Sequence, residues 1–179
     1  GKIRGLDPKT GAEKASLTAP GPWPTGVAFD GELLWVADRD RGRIFGIETA
    51  KKLVVRELEG PGGPLALAFD GEDLWVADGK RLHRVMRSDG TTIVSLPAPT
   101  WDGKGRASEQ LGMTYADGTL WVSDRKTNLL YRVTPELGEV VDTIRAPGPF
   151  PSGLAMVDGK LLVADVQIGR AHVRTPVTD

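Results

Sequence analysis

The sequence predicts an all-β chain of the β-propeller class, built from four-stranded blades, and three observations carry that prediction. One column pattern recurs four times: a small residue, an aromatic or Met three further on, a Trp or Leu six beyond that, and an Asp three later. It reads Gly26-Phe29-Trp35-Asp38, Ala66-Phe69-Trp75-Asp78, Gly112-Tyr115-Trp121-Asp124 and Gly153-Met156-Leu162-Asp165. Successive Asp residues are 40, 46 and 41 positions apart, within the range of propeller blades. An Asp-Gly dipeptide separates the first two apolar runs of every unit, at 30–31, 70–71, 117–118 and 158–159. That dipeptide is the strongest local hairpin signal, because both central turn residues tolerate positive φ.

The elements follow in chain order. Ile3-Arg4-Gly5-Leu6 matches the third-strand columns of later units, Asp7-Pro8-Lys9-Thr10-Gly11 is a turn, and 13–20 is a fourth strand. The chain is therefore expected to begin inside a blade. In the first whole unit, strands are predicted at 26–29, 33–37 and 44–47. The third-strand column continues at 82–85 and 130–133, and a turn at 134–138 leads to a fourth strand at 139–145. The expected organisation is a half blade at 1–20, blades at 21–60, 61–98 and 109–147, and a half blade at 148–167. Helix is expected in less than about a tenth of the residues.

The last segment departs from the pattern. Column spacing asks for apolar residues at 171 and 174, where Ala171 and Arg174 stand with Pro176 just beyond. Residues 168–178 also resemble, position for position, a conceptual translation of a common sequencing adapter. The expectation is a non-native tail at 168–179 that forms no third strand against 161–164.

Composition narrows the function classes. At 179 residues, 40% hydrophobic and 26% charged, the chain has the make-up of a globular protein with a sizeable core. Its net charge of −1, from 23 Lys and Arg against 24 Asp and Glu, offers no basic footprint for nucleic acid. No membrane partner is expected. Without cysteine there is no disulfide, thiolate nucleophile or Cys-ligated metal.

The stretch Pro24 to Arg39, followed by an Ile-x-x-Ile strand and a turn like Asp7-Pro8-Lys9-Thr10-Gly11, resembles the NHL/YVTN-type propellers. That group includes streptogramin lyase, the gluconolactonase and regucalcin family, and bacterial glutaminyl cyclotransferase. The resemblance spans 1–167. It implies a closed ring of six or seven blades and a secreted or periplasmic location. A superfold does not decide function, and the resemblance transfers no catalytic residue to this chain.

Each candidate for chemistry has a structural competitor. Asp38, Asp78, Asp124 and Asp165 could ring a metal. Their repetition at a strand end in every unit instead suits an Asp accepting backbone N–H bonds from the following loop. Trp35, Trp75 and Trp121 lie mid-strand in apolar runs and read as packing between blades. His83 shares a column with Phe45 and Tyr131 and also reads as packing. No cofactor is evident.

Loops on a rigid scaffold are where binding residues gather. The loops between second and third strands share one face with the links between blades. That face collects the ligand-binding candidates Trp23, Arg39, Arg41, Trp101, Arg125, Lys126 and Phe150. Cations beside aromatics suit a small anionic or sugar-like ligand, or a protein partner. The long link 100–108, which accounts for the 46-residue spacing, is a further candidate. The expected function is thus a non-catalytic binding propeller within a larger protein. The alternative is a metal-dependent lactonase or a lyase, whose divalent ion and catalytic residues would lie in further blades.

Overall fold

The protein is described by a computed structural model, which covers residues 1–7, 9–99, 110–166 and 170–174. All its regular structure is β, in five separate antiparallel sheets. The first sheet holds only β1 (Lys2–Leu6) and β2 (Glu13–Thr18). Three four-stranded blades follow. Blade 1 comprises β3 (Pro24–Phe29), β4 (Leu34–Asp38), β5 (Arg43–Glu48) and β6 (Leu53–Glu59). Blade 2 comprises β7 (Ala66–Phe69), β8 (Leu74–Ala77), β9 (Arg81–Val85) and β10 (Thr92–Pro97). Blade 3 comprises β11 (Gln110–Ala116), β12 (Thr119–Asp124), β13 (Leu129–Val133) and β14 (Val140–Arg145). The last sheet holds β15 (Pro151–Val157), β16 (Lys160–Asp165) and β17 (Arg170–Arg174). These sheets bear out the all-β blade architecture. Sheet β1–β2 and sheet β15–β17 remain apart, so the two do not merge into one blade.

The tail corrects one expectation. Residues 170–174 do pair with β16, in the register Leu161↔Arg174 through Asp165↔Arg170. A ladder on an open sheet edge needs only backbone N–H and C=O groups, which any non-proline sequence supplies. Poor side-chain patterning therefore did not prevent the strand.

The turns divide into two kinds. At Asp117-Gly118 and Asp158-Gly159 both residues have positive φ (49° and 73°; 49° and 69°), as a tight two-residue hairpin requires. At 30–31 and 70–71 only the glycines do (95° and 101°). There the hairpin loop is four residues long, since Phe29 pairs with Leu34 and Phe69 with Leu74. Asp30 Oδ1 accepts the N–H groups of Glu32 (2.8 Å) and Leu33 (2.6 Å), and Asp70 does the same for Glu72 and Asp73. Each second carboxylate oxygen takes the indole N–H of the column Trp, Trp35 at 2.8 Å and Trp75 at 2.9 Å.

The core lies in layers between the blades. Trp35 packs with Leu67, Leu74 and Val76 of the next blade, Trp75 with Met113, Leu120 and Val122, and Trp121 with Leu161 and Val163. Exposure of the three Trp residues is 1–3%, which confirms their packing role. At the centre, the inner strands β3, β7, β11 and β15 meet successively. Their column residue must be small. A Cβ on Gly26 would lie 2.8 Å from Leu67 N, and one on Gly112 would lie 2.8 Å from the Gly153 backbone. A Cβ on Gly153 would meet only Ala164 Cβ, at 3.5 Å. Gly26→Ala and Gly112→Ala are therefore expected to destabilise the protein by about 1–3 kcal/mol through overpacking against backbone, and Gly153→Ala to be nearly neutral. Urea denaturation of the three variants checks this contrast.

Candidate functional site

Antiparallel strands alternate in direction, so the 39–42 and 125–128 loops and the links before β3, β7 and β15 lie at one end of the blades. The end-of-strand Asp residues organise that end. Asp38 Oδ2 accepts the N–H of Trp23 (2.8 Å) and its Oδ1 that of Arg41 (2.9 Å). Arg39 N–H donates to Trp23 O at 3.2 Å, and the Arg41 guanidinium donates to Pro20 O at 3.1 Å. Trp23, Arg39 and Arg41 are thus held around one buried carboxylate, with the Trp23 side chain 59% exposed.

The same device recurs three junctions away. Asp165 Oδ2 accepts Phe150 N–H at 2.8 Å, and Asp124 Oδ1 accepts Lys126 N–H at 2.9 Å. The Arg125 guanidinium lies 5.5 Å from the Phe150 ring centroid, a cation–π contact worth about 0.5–1 kcal/mol when exposed. Six of the seven sequence candidates therefore fall into two clusters, Trp23/Arg39/Arg41 and Arg125/Lys126/Phe150. Among the described residues no hydrogen bond, ion pair or ring contact joins the two. Trp101 and the link 100–108 lie outside the described residues. Between the clusters, the link column holds Gly63, and the Arg39 Cγ runs 3.6 Å from where its Cβ would be.

The scaffold reading of the repeated Asp residues holds, and His83 adds a network that column logic missed. The loop from Asp78 to Arg81 is two residues shorter than the equivalent loops. Asp78 Oδ1 accepts the N–H groups of Lys80 (2.8 Å) and Arg81 (2.7 Å), and its Oδ2 lies 3.2 Å from His83 Nε2. His83 Nδ1 lies 3.1 Å from Ser95 Oγ. The order of groups matches a Ser–His–Asp relay. Arg81 Nε, however, donates to the same Ser95 Oγ at 2.6 Å and its Nη2 to Ser95 O at 2.7 Å. Ser95 is thereby engaged as a bridge that ties the outermost strand β10 to β9. The only signal for this in the sequence is the shortened loop. No group of three His, Asp or Glu side chains suited to a metal occurs among the described residues, and no helix there is long and apolar enough to cross a membrane.

These observations define the class: the chain is a β-propeller. No protein-family model matches the chain, and no curated protein matches it in sequence. Solved structures do. Glutaminyl cyclase from Myxococcus xanthus superposes with a TM-score of 0.83 at 19% identity, over 100% of this chain and 84% of that one. Virginiamycin B lyase from Staphylococcus aureus gives 0.60 at 22% identity, over 96% of this chain and 62% of that one. A computationally designed protein, Ika4, gives 0.60 at 15% identity.

Burial raises the pKa of the Asp30 and Asp70 carboxyls, and the loop N–H groups, the Trp indoles and an Arg on each outweigh it, so both titrate below the ordinary 3.8. A lowered folded-state pKa contributes stability that is present above 3.8 and lost as pH falls through the folded value. Urea midpoints measured from pH 5 downwards should therefore fall below about pH 4. The fall should be shallower in Asp30→Asn/Asp70→Asn, which has lost that titration.

Proposed function

We propose that the protein is a ligand-binding propeller of the NHL/YVTN type, secreted or periplasmic, that uses the blade end bearing Trp23, Arg39, Arg41, Arg125, Lys126 and Phe150. The observation that carries this reading is the Arg125 guanidinium seated over the Phe150 ring, which presents cation and aromatic together on rigid turns. Such a pair suits a small anionic or sugar-like ligand, through charge-assisted bonds and stacking. The probe is oligogalacturonate, an anionic sugar, titrated calorimetrically into the full chain. Saturable binding that weakens roughly tenfold in Arg125→Ala supports the reading, since a hydrogen bond to a charged group contributes about 1.5–3 kcal/mol. No saturable binding, or binding indifferent to both Arg125→Ala and Arg39→Ala, contradicts it.

A second reading is that of an enzyme. The TM-score of 0.83 to a glutaminyl cyclase spans the whole chain, and a lyase also superposes. A metal-dependent lactonase belongs to the same reading, with its divalent ion held outside the described residues. Release of ammonia from a peptide with an N-terminal glutamine would favour catalysis of the cyclase kind.

A further inference from the structure

The third-strand column facing each Trp breaks its own pattern once. Trp75 pairs across the sheet with Arg84 and Trp121 with Arg132, but Trp35 pairs with Gly46. In blade 2 the Arg84 side chain lies beside its Trp, and the equivalent cavity there is smaller, about 430 Å³. Its Nε donates to Asp70 Oδ2 at 2.8 Å, and its Nη2 donates to Glu72 Oε2 at 3.0 Å and lies 3.4 Å from Asp73 Oδ2. Blade 1 keeps the first two carboxylates, as Asp30 and Glu32, and has Leu33 in place of Asp73. It lacks the guanidinium between them.

A cavity of about 760 Å³ lies there, at the blade end opposite the Trp23 and Phe150 clusters, lined among others by Asp30, Glu32, Leu33, Glu48, Arg56 and Arg87. A Cβ on Gly46 would point at Trp35, Leu33 and Arg56, 3.0–3.1 Å from each. The volume is within the range of small-molecule sites. Arg87, from the next blade, answers part of the lost charge: it donates to Asp30 Oδ2 at 3.0 Å and lies 5.7 Å over the Phe69 ring. Among the described residues Glu32 has no partner for its carboxylate, whereas its counterpart Glu72 has Arg84. Arg56, paired in register with Gly46, has no partner for its guanidinium among the described residues.

We propose that this cavity binds a small zwitterion carrying a guanidinium or amine at one end and a carboxylate at the other. The cationic end takes the place of the Arg84 side chain, bonded to Glu32, and the carboxylate pairs with Arg56. Blade 2 supplies the precedent within the same chain, since the equivalent carboxylates hold a guanidinium there. The site is separate from the blade end of the proposed function and stands or falls independently of it.

The test uses the full chain with L-arginine as probe and agmatine, its analogue without the carboxylate, as comparison. Calorimetry should show saturable binding of L-arginine and at least roughly tenfold weaker binding of agmatine, the loss expected for one charge-assisted contact. Arg56→Ala should lower L-arginine to the agmatine level and leave agmatine unchanged. Gly46→Arg/Leu33→Asp, which rebuilds the blade 2 arrangement, should abolish binding of both. Equal affinity for L-arginine and agmatine would overturn the proposal. So would the absence of saturable binding well above the millimolar range, or unchanged binding in the folded double variant. Should the double variant not fold, the Arg56→Ala comparison decides alone: an unchanged L-arginine affinity there overturns the proposal.

Discussion

Close approach of one inner strand to the next is the constraint on which the rest depends. A four-stranded blade has two faces and little interior of its own, so its apolar residues must be buried against neighbouring blades. That burial requires the inner strands to come together at backbone distance, and Gly26, Ala66 and Gly112 make it possible. Once the inner strands touch, Trp35, Trp75 and Trp121 reach across onto the second strand of the following blade and close the layer. Large buried side chains of this kind contribute on the order of 3–5 kcal/mol each when measured by truncation, so the layers dominate the stability. Where a neighbouring blade is absent from the described residues, the faces stay open, as the exposure of Val27 (53%) and Phe29 (57%) on β3 demonstrates.

Polar groups then fix the ends. The Asp at the end of each second strand accepts backbone N–H groups that the sheet leaves unpaired, which is the role its repetition suggested. Asp30 and Asp70 go further and couple their turns to the Trp indoles. Turn, packing layer and strand end therefore form one connected unit in blades 1 and 2. The chain also departs from its own repeat, even at buried positions: Gly46 where blades 2 and 3 have Arg84 and Arg132, Gly63 where two other links have Trp23 and Phe150, His83 where blades 1 and 3 have Phe45 and Tyr131.

Much of this was legible in the sequence, because repetition turns weak local signals into strong ones. The strands fall within a residue or two of their predicted places, and the scaffold roles of Asp38 and Trp35 follow from their recurrence. What was not legible depends on distances between units. Two of the four Asp-Gly dipeptides form four-residue loops, because Glu32-Leu33 and Glu72-Asp73 lengthen the hairpin and the Asp side chain, in place of a tight turn, organises it. The separation of the seven site candidates into two clusters was equally hidden, since a list of loop residues does not say which junction each one serves. How closely Gly26 and Gly112 allow the inner strands to approach is likewise a quantity that blade spacing alone does not contain.

Native-state hydrogen exchange tests the central claim most directly. If interblade layers carry the stability, amides of β7, β8, β11 and β12 should exchange only through the largest openings, with those of the outermost strands β6, β10 and β14 exchanging sooner and β1–β2 soonest of all. Exchange from β7 and β11 as fast as from β10 and β14 would contradict the account, because it would mean that each blade holds itself together without its neighbours.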